Sequence, residues 1–291
     1  MGGLLVNYRG IIQSCMFAGS DGAAWLKPLR YGMVLIIVLN CTQAFGANIT
    51  LVTEFLVRMK PQGLALELMT GNRGDVPAHD VQFEVVAGDE VLVAPVVKTL
   101  GVDEQATVNL TLADVPGMPG RYPVVIRTNY RDANGYRFTA LTVGFHDYQS
   151  SVTSAVSISS ETVRIPVGGK GRLSFVLRNN GRTAQEIDLA LYVPNELSVA
   201  HEPSVIVLGP QQVQTLEYEV GNYSALANSR YQIPLVGQYE QNGKHFSVAG
   251  SAVVLLVDDA RPAIKPFWIW VLLGGLMPGI ISFLRLKKQW A

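Results

Sequence analysis

The chain contains two copies of one sequence pattern in tandem, and this repeat limits the available folds more than any other feature. Arg121–Ile126 (RYPVVI) in the first copy matches Arg230–Leu235 (RYQIPL) in the second. Each segment is followed by an Asn-Gly pair, Asn134-Gly135 in the first copy and Asn242-Gly243 in the second. Asn-Gly between two strands is the strongest short-range signal for a type I′ hairpin, because both residues tolerate positive φ. The repeat therefore predicts two similar units that each end in a long hairpin.

A second match lies earlier in each copy, at nearly the same offset. The triplets are Asn72-Arg73-Gly74 and Asn179-Asn180-Gly181, and a strand-like segment follows each of them. The first triplet overlaps Arg73-Gly74-Asp75, a tripeptide that some animal cell-surface receptors bind. The second copy keeps the glycine but not this tripeptide. We therefore expect a turn here, with Asn and Gly supplying a permissive backbone, and not an adhesion ligand.

Between these turns, apolar and polar residues alternate with period two, as they do in half-buried strands. The pattern is clear at Val81–Val86, Thr107–Leu112 and Glu186–Leu191, and no stretch between the two ends of the chain has a sustained helical period. Pro and Gly interrupt the pattern at the spacing typical of a β-sandwich. The predicted fold class is all-β, with two tandem sandwich domains at residues 47–148 and 152–258.

The order of these features resembles that of the immunoglobulin-like modules called CARDB or NEW3, which occur in exported bacterial and archaeal proteins. The resemblance rests on the N-x-G turn, on Leu208-Gly209-Pro210 before a strand, and on the Arg-Tyr pair that opens the last hairpin. It covers residues 155–257 and, more loosely, residues 50–145, where Leu100-Gly101-Val102 replaces the Leu-x-Pro pattern. The resemblance implies an Ig-like fold, an extracytoplasmic location and a non-catalytic module that binds varied partners.

Residues 1–46 have the organisation of a secretory signal peptide. A basic flank ending at Arg30 precedes a short apolar run, Met33–Leu39, and small residues follow it. The run is too short for the roughly 20 residues that a comfortable membrane span needs. We expect cleavage after Ala44 or after Gly46, and a retained N-terminal anchor is the alternative.

The stretch before the basic flank is unusually long for a signal peptide, so Met16 is an alternative start. Both cysteines, Cys15 and Cys41, precede the expected cleavage sites. The exported protein would therefore contain no cysteine and would carry no disulfide risk in an oxidising compartment.

The second predicted membrane element is a helix over residues 267–284, a long run without a charged residue (FWIWVLLGGLMPGIISFL). Residues 259–266 are predicted to link it to the second domain, and residues 285–291 to form a short cytoplasmic tail. Interfacial tryptophans and a basic cluster on the cytoplasmic side anchor this helix: Trp268, Trp270, Arg285, Lys287 and Lys288. The predicted topology is single-pass, with the two domains in the periplasm or at the cell surface.

The ionisable residues do not form a recognisable catalytic or metal-binding pattern. Lys plus Arg and Asp plus Glu number 23 each, so the net charge gives no attraction to nucleic acid. His79-Asp80 and His146-Asp147 are neighbours on predicted strands and should point to opposite faces, which disfavours acid-base dyads. His201 and His245 have no second histidine or cysteine at zinc-ligand spacing. We therefore predict neither catalysis nor a cofactor or metal site.

Aromatic residues border the two final hairpins and form the predicted binding surface: Tyr130, Tyr136, Tyr239 and Phe246. If exposed, they would stack on sugar rings or anchor a protein, and packing into the core is the alternative. From the membrane topology we predict a structural or protein-interaction subunit of a cell-envelope assembly, with its partner in or near the same membrane. A carbohydrate-binding or adhesive surface module is the alternative function.

Overall fold

A computed structural model of the 291-residue chain describes residues 48–60, 63–113, 115–200 and 205–258. Within these residues the regular elements are β-strands, which confirms the predicted all-β class. In the described part of the chain, no helix is long and apolar enough to cross a membrane. The predicted signal peptide, linker, transmembrane helix with its anchor residues, and tail lie outside the described residues.

The first half of the described chain contains eight strands in two antiparallel sheets. They are β1 (Leu51–Lys60), β2 (Gly63–Asn72), β3 (Ala78–Ala87), β4 (Glu90–Val93), β5 (Val97–Leu100), β6 (Gln105–Leu112), β7 (Gly120–Arg131) and β8 (Arg137–Tyr148). One sheet has the order β1-β2-β6. In the other, β7 lies between β3 and β8, and β3 also pairs with β4 and β5.

The second half contains nine strands. They are β9 (Val156–Ser160), β10 (Thr162–Pro166), β11 (Lys170–Asn179), β12 (Gln185–Leu191), β13 (Leu197–Val199), β14 (Val205–Leu208), β15 (Val213–Asn222), β16 (Arg230–Gln241) and β17 (Lys244–Val257). One sheet has the order β13-β15-β11-β9. In the other, β14-β12-β16-β17 is extended by β10, which runs parallel to β17.

Both halves have the strand order of an immunoglobulin-like sandwich. In that fold, strands A, B, E and D form one sheet and strands C, F and G form the other. The second half matches this order with β9-β11-β15-β13 facing β12-β16-β17, and the first half with β1-β2-β6 facing β3-β7-β8. The central strands of the two halves therefore pair in the same way.

Each half encloses its own cluster of buried apolar side chains. Successive residues of a strand point to opposite faces, so alternate positions lie between the sheets. In β3, for example, Val81, Phe83 and Val85 are buried while the residues between them are partly exposed. Phe83 and Phe175 are the bulkiest fully buried side chains of the first and second half. Burial of each such ring contributes roughly 1.5–3 kcal/mol, so both halves are packed sandwiches.

A single parallel residue pair, Gly120 of β7 and His245 of β17, connects the larger sheets of the two halves. Gly120 has a φ of 154°, and a Cβ there would lie 2.1 Å from the His245 carbonyl oxygen, so the position requires glycine. The Tyr122 ring stacks on the His245 ring with centroids 4.2 Å apart. The Ser247 hydroxyl donates a hydrogen bond to the Arg121 carbonyl oxygen at 2.7 Å. The two halves are therefore in direct contact along β7 and β17.

The two final hairpins differ. Between β16 and β17, Asn242 and Gly243 have φ values of 51° and 68° and form a two-residue connection, which confirms the type I′ prediction there. The loop between β7 and β8 has five residues, and in it Gly135 has positive φ but Asn134 does not. The Asp132 carboxylate closes this loop by accepting hydrogen bonds from two loop N–H groups, each at 2.9 Å. The type I′ prediction is therefore wrong for the first hairpin.

A buried asparagine shapes each N-x-G turn. Asn72 and Asn179 are fully buried, and the Oδ1 of each accepts a hydrogen bond from the N–H of the glycine two residues later, at 2.9 and 2.8 Å. Their Nδ2 groups donate to carbonyl oxygens at the ends of β5 and β14. Neither Gly74 nor Gly181 has positive φ. The expectation of a permissive backbone is therefore wrong, because the Asn side chain closes an Asx turn.

The Arg73-Gly74-Asp75 tripeptide is held against the residues that precede β1. Asp75 exchanges two hydrogen bonds with Asn48, at 2.6 and 2.9 Å. Arg73 forms an ion pair with Asp103 at 3.5 Å. A Cβ on Gly74 would lie 2.1 Å from the Asn48 carbonyl oxygen. The tripeptide is therefore part of a packed turn.

The turns after β5 and β14 are also alike, although their sequences differ. The Gly101 N–H donates to the Glu104 carboxylate, and the Gly209 N–H donates to the Gln212 amide oxygen, both at 2.7 Å. The third residue of the turn has positive φ in both copies, 59° in the first and 56° in the second. The lack of proline in the first copy therefore does not change the turn.

Candidate functional site

An open cleft of about 370 Å³ lies between β1 and β8 at one end of the first half. Its lining combines the apolar residues Phe55, Leu56, Val57, Met59, Leu64 and Phe145 with the polar residues His146, Asp147, Tyr148 and Gln149. Ligand sites in proteins typically have volumes of roughly 300–1,000 Å³. The β1–β8 cleft is therefore large enough for a side chain or a small ligand.

The cleft is open because β1 and β8 do not pair with each other. Among the described strands, β1 pairs only with β2, and β8 only with β7. The Phe55 ring lies on Gly144, where a Cβ would be 2.5 Å from Phe55 Cε1. Farther along β1, Met59 is 57% exposed, although its pairing with buried Leu64 places it on the core side. Met59 is therefore left uncovered at this end of the sandwich.

In the second half, β10 fills the corresponding place. Residues Thr162–Pro166 pair in parallel with Val253–Val257 of β17. Ile165 is fully buried in the second core. Gly171 of β11 makes room for it, since a Cβ there would lie 2.7 Å from Ile165 Cγ1. One short strand thus closes the second sandwich where the first is open.

The repeat maps the cleft segment onto the residues that pair with β10. Phe138 of β8 corresponds to Phe246 of β17, because each pairs with the matching tyrosine of the preceding strand. Both strands continue from there without a bulge as far as Tyr148, so Phe145–Tyr148 corresponds to Val253–Leu256. Sequence reasoning missed this site, because the parallel pairing of β10 with β17 that locates it is not visible in the sequence.

The core-facing residues of the two segments differ in polarity. Val254 and Leu256 are buried in the second half, whereas His146 and Tyr148 occupy the same positions in the first half and are partly exposed. Burial lowers the pKa of His146, and the charge of Asp147 opposes this change. The wall of the cleft therefore presents an imidazole and a phenol where the second half has two aliphatic side chains.

An ion pair lies at the rim of the cleft. Arg121 donates hydrogen bonds to both carboxylate oxygens of Asp147, at 2.9 and 3.3 Å, and the Ser151 hydroxyl donates another at 2.7 Å. The hydrogen bond from Arg121 holds the pKa of Asp147 below its usual value, and burial opposes this effect. His146 instead stacks on Tyr122, with centroids 5.8 Å apart. These neighbours point to opposite faces, as predicted, and the charges at the rim are already paired.

The four aromatic residues of the predicted binding surface lie in two separate hairpins. Tyr130 stacks on Phe138 with centroids 5.5 Å apart, and burial raises its pKa to about 12, with the charge of Glu196 adding to the effect. Tyr239 is only 4% exposed and stacks on Phe246 with centroids 5.1 Å apart. Tyr136, in the first hairpin loop, is 54% exposed. The packing alternative therefore describes the surroundings of Tyr130 and Tyr239, and a glycan-binding role stays a prediction.

Two other sheet edges carry exposed apolar side chains. Through the contact between β7 and β17, the larger sheets of the two halves form one continuous larger sheet. The strands β4 and β14 are its two ends. Val91 and Val93 on β4, and Val205 and Val207 on β14, are between 52% and 61% exposed. Natural proteins usually protect a sheet edge with charged residues, proline or short strands. Sequence reasoning missed these positions too, because VIVL is apolar throughout and EVLV has a single polar residue, so neither segment alternates in a way that distinguishes exposed from buried positions.

The histidines of the described residues have structural contacts. His79 lies 3.4 Å from a threonine hydroxyl of β5, and its neighbour Asp80 forms an ion pair with Arg131 at 3.4 Å. His245 takes part in the stack between the halves, and His201 lies outside the described residues. Over the described ranges, no group of three His, Cys, Asp or Glu side chains is arranged to hold a metal ion.

The known proteins to which this chain is similar are distant ones. No family model and no curated protein matches it. Similar solved structures include Escherichia coli alpha-2-macroglobulin activated by porcine elastase, with 13% identity, a TM-score of 0.28, and coverage of 73% of this chain and 22% of that chain. The ASH/PapD-like domain 7 of human CEP192 has 11% identity, a TM-score of 0.28, and coverage of 39% and 98%. A protein of unknown function from Porphyromonas gingivalis W83 has 14% identity, a TM-score of 0.26, and coverage of 69% and 98%. The chain spans less than a quarter of the alpha-2-macroglobulin length, and these similarities assign neither a family nor a function.

Proposed function

We propose that the chain is a non-catalytic, membrane-anchored subunit of a cell-envelope assembly, which binds other proteins outside the cytoplasm. In this proposal, residues 47–148 and 152–258 are tandem immunoglobulin-like domains of the CARDB or NEW3 type, and residues 267–284 anchor them. The short link of residues 259–266 keeps the domains close to the bilayer. The partner therefore lies in or near the same membrane.

The exposed valines of β4 and β14 carry this proposal. Each of these strands lies at an end of the larger sheet and pairs with a neighbour on one side. Partner proteins commonly bind such edges by adding an extended strand, where main-chain hydrogen bonds give affinity and side-chain contacts give selectivity. Each edge is four residues long, which suits a local docking contact better than an open-ended aggregate.

Site-specific photo-cross-linking tests the proposal in native membranes. A photoreactive residue is placed in the full chain at Val93, at Val207 or, as a control, at Val176. Val176 is 37% exposed but lies on β11, where it pairs with β15 on one side and with β9 on the other. We expect cross-links to another envelope protein, identified by mass spectrometry, from Val93 or Val207. Recovery of the chain alone from both edge positions, or an equal yield from Val176, contradicts the proposal.

A further inference from the structure

We propose that the β1–β8 cleft binds an extended segment of a partner protein, which pairs in parallel with Phe145–Tyr148 and inserts one aliphatic side chain beside Leu64. The segment lies along β8 as β10 lies along β17, but less deeply, because Gly171 leaves space for Ile165 and Leu64 does not. This inference deepens the proposed function and rests on it, because it assigns the partner's form at one site.

The chain's own first strand does not reach this place. The register of β1 on β2 and that of β9 on β11 align the end of β1 with β10. In the second half the chain crosses to β17 at this point, whereas β1 stays paired with β2 as far as Lys60. Two residues then lead to Gly63, where β2 begins. Lys60 still pairs with Gly63, so β1 stays on its own sheet, and among the described strands β8 keeps an edge that a second polypeptide can reach.

The sequence of β10 shows which kind of segment fits. Ile165 is buried, Val163 packs partly against the core, and Arg164 between them is exposed. A bound segment needs the same apolar-x-apolar spacing, because successive side chains of a strand point to opposite faces. The ion pair between Arg121 and Asp147 leaves no unpaired charge at that part of the rim for a charged side chain. The cleft therefore selects an uncharged aliphatic residue at the inserted position.

His146 and Tyr148 adapt the cleft to a segment that differs from β10. The second half has Val254 and Leu256 at these positions, so its groove offers no side-chain hydrogen bond. An imidazole and a phenol beside the inserted residue favour a partner with a hydroxyl or amide group two residues from its aliphatic side chain, on the same face of the strand. The β10 sequence keeps the apolar-x-apolar spacing and should still bind the cleft, and it should bind more tightly when His146→Val restores the surface of the second half.

A peptide-binding measurement tests the inference. The probe is a fluorescein-labelled octapeptide, SETVRIPV (residues 160–167), added to the full chain in detergent and followed by fluorescence anisotropy. Met59→Glu places a charge in the cleft, and Val52→Glu is the matched control on the same strand, where Val52 is 46% exposed and does not line the cleft. We expect saturable binding by the wild type and the Val52→Glu variant. Binding should be at least about tenfold weaker with Met59→Glu, or with a peptide carrying Asp in place of Ile165, because the inserted charge is unpaired.

Thermal unfolding of both variants shows whether they remain folded, and both positions are exposed enough to accept the change. The absence of saturable binding up to on the order of 1 mM peptide overturns the inference, as does equal binding by both variants. A photoreactive residue at Met59 in native membranes then identifies the donor of the segment. A cross-link to a different protein supports the inference, and a product of two copies of this chain overturns it. If the cleft tests fail while Val93 or Val207 still cross-links to a partner, the cleft inference falls and the proposed function stands.

Discussion

The two halves of this chain share a strand order but close their sandwiches differently. In the second half the first strand divides, so that β9 stays with β11 and β10 crosses to β17. In the first half, β1 runs unbroken along β2. The strand that follows β3, or its counterpart β12, also differs between the halves. In the first half β4 pairs with β3, whereas in the second half β13 pairs with β15 in the opposite sheet. A repeat can thus keep its central strands while its edges, where binding surfaces form, diverge.

One pair of matching positions explains much of the difference at the cleft. Leu64 of β2 and Gly171 of β11 are counterparts when the two N-x-G turns are aligned on Asn72 and Asn179. Gly171 leaves the space that Ile165 occupies, whereas Leu64 is itself buried at the base of the β1–β8 cleft. A segment bound in the first half must therefore insert less deeply than β10 does.

Truncation of Ile165 should have the largest effect on the stability of the protein. Ile165→Ala removes a fully buried side chain and should lower the free energy of unfolding by about 2–5 kcal/mol. Met59→Ala, at the open cleft, should change it by less than about 0.5 kcal/mol, because Met59 is largely exposed. Urea unfolding followed by circular dichroism measures both. Similar losses of unfolding free energy in the two variants would show that the two sandwiches are closed equally well.

The next largest loss of stability should follow from replacing the buried asparagines, which form the same turn in both halves. Asn72→Ala and Asn179→Ala each leave buried carbonyl oxygens without their donor and should cost roughly 1–3 kcal/mol. Asn180→Ala is the control, since its side chain is exposed and should contribute less than about 0.5 kcal/mol. A neutral result for Asn72→Ala alone would mean that the Asx turn stabilises only the second half.

Sequence reasoning succeeded where the signal was local. Alternation predicted β3, β6 and β12, and the repeat located both final hairpins and the matching turns. It could not predict that residues 162–166 cross to another sheet while residues 57–60 do not, because both segments are short and apolar-rich. That choice depends on a neighbour from another strand, Leu64 or Gly171, and on strands distant in the chain. The β1–β8 cleft exists because β1 pairs with β2 and not with β8, so no local sequence pattern predicts it.

The hairpins offer a smaller contrast between the halves. Gly243→Ala places a Cβ at a φ of 68° and should cost about 1 kcal/mol. Asn134→Ala should cost less than about 0.5 kcal/mol, because Asn134 lacks positive φ and the Asp132 side chain closes its loop. Thermal unfolding of both variants measures the difference. Equal costs would indicate that the first hairpin adopts a type I′ turn in solution after all.

The smallest expected effect concerns two histidines, one from each half, that stack on Tyr122. Burial lowers the pKa of His146 and of His245 below the ordinary value of 6.5, and the charges of Asp147 and Glu240 oppose this change. The unfolded chain therefore binds protons more readily than the folded chain. The stability that depends on the neutral rings is present above pH 6.5 and is lost as the pH falls through the folded-state pKa values. Both rings are partly exposed, which keeps the effect small.

Urea unfolding at about pH 7.5 and about pH 5.5 measures this loss. His146→Phe and His245→Phe each keep a ring on Tyr122 but bind no proton, so each should remove part of the pH dependence. Burial raises the pKa of Glu196, which acts in the opposite direction as the pH falls, but this contribution is common to all variants. An unchanged pH dependence in both variants would show that neither ring is held neutral by the contact between the halves.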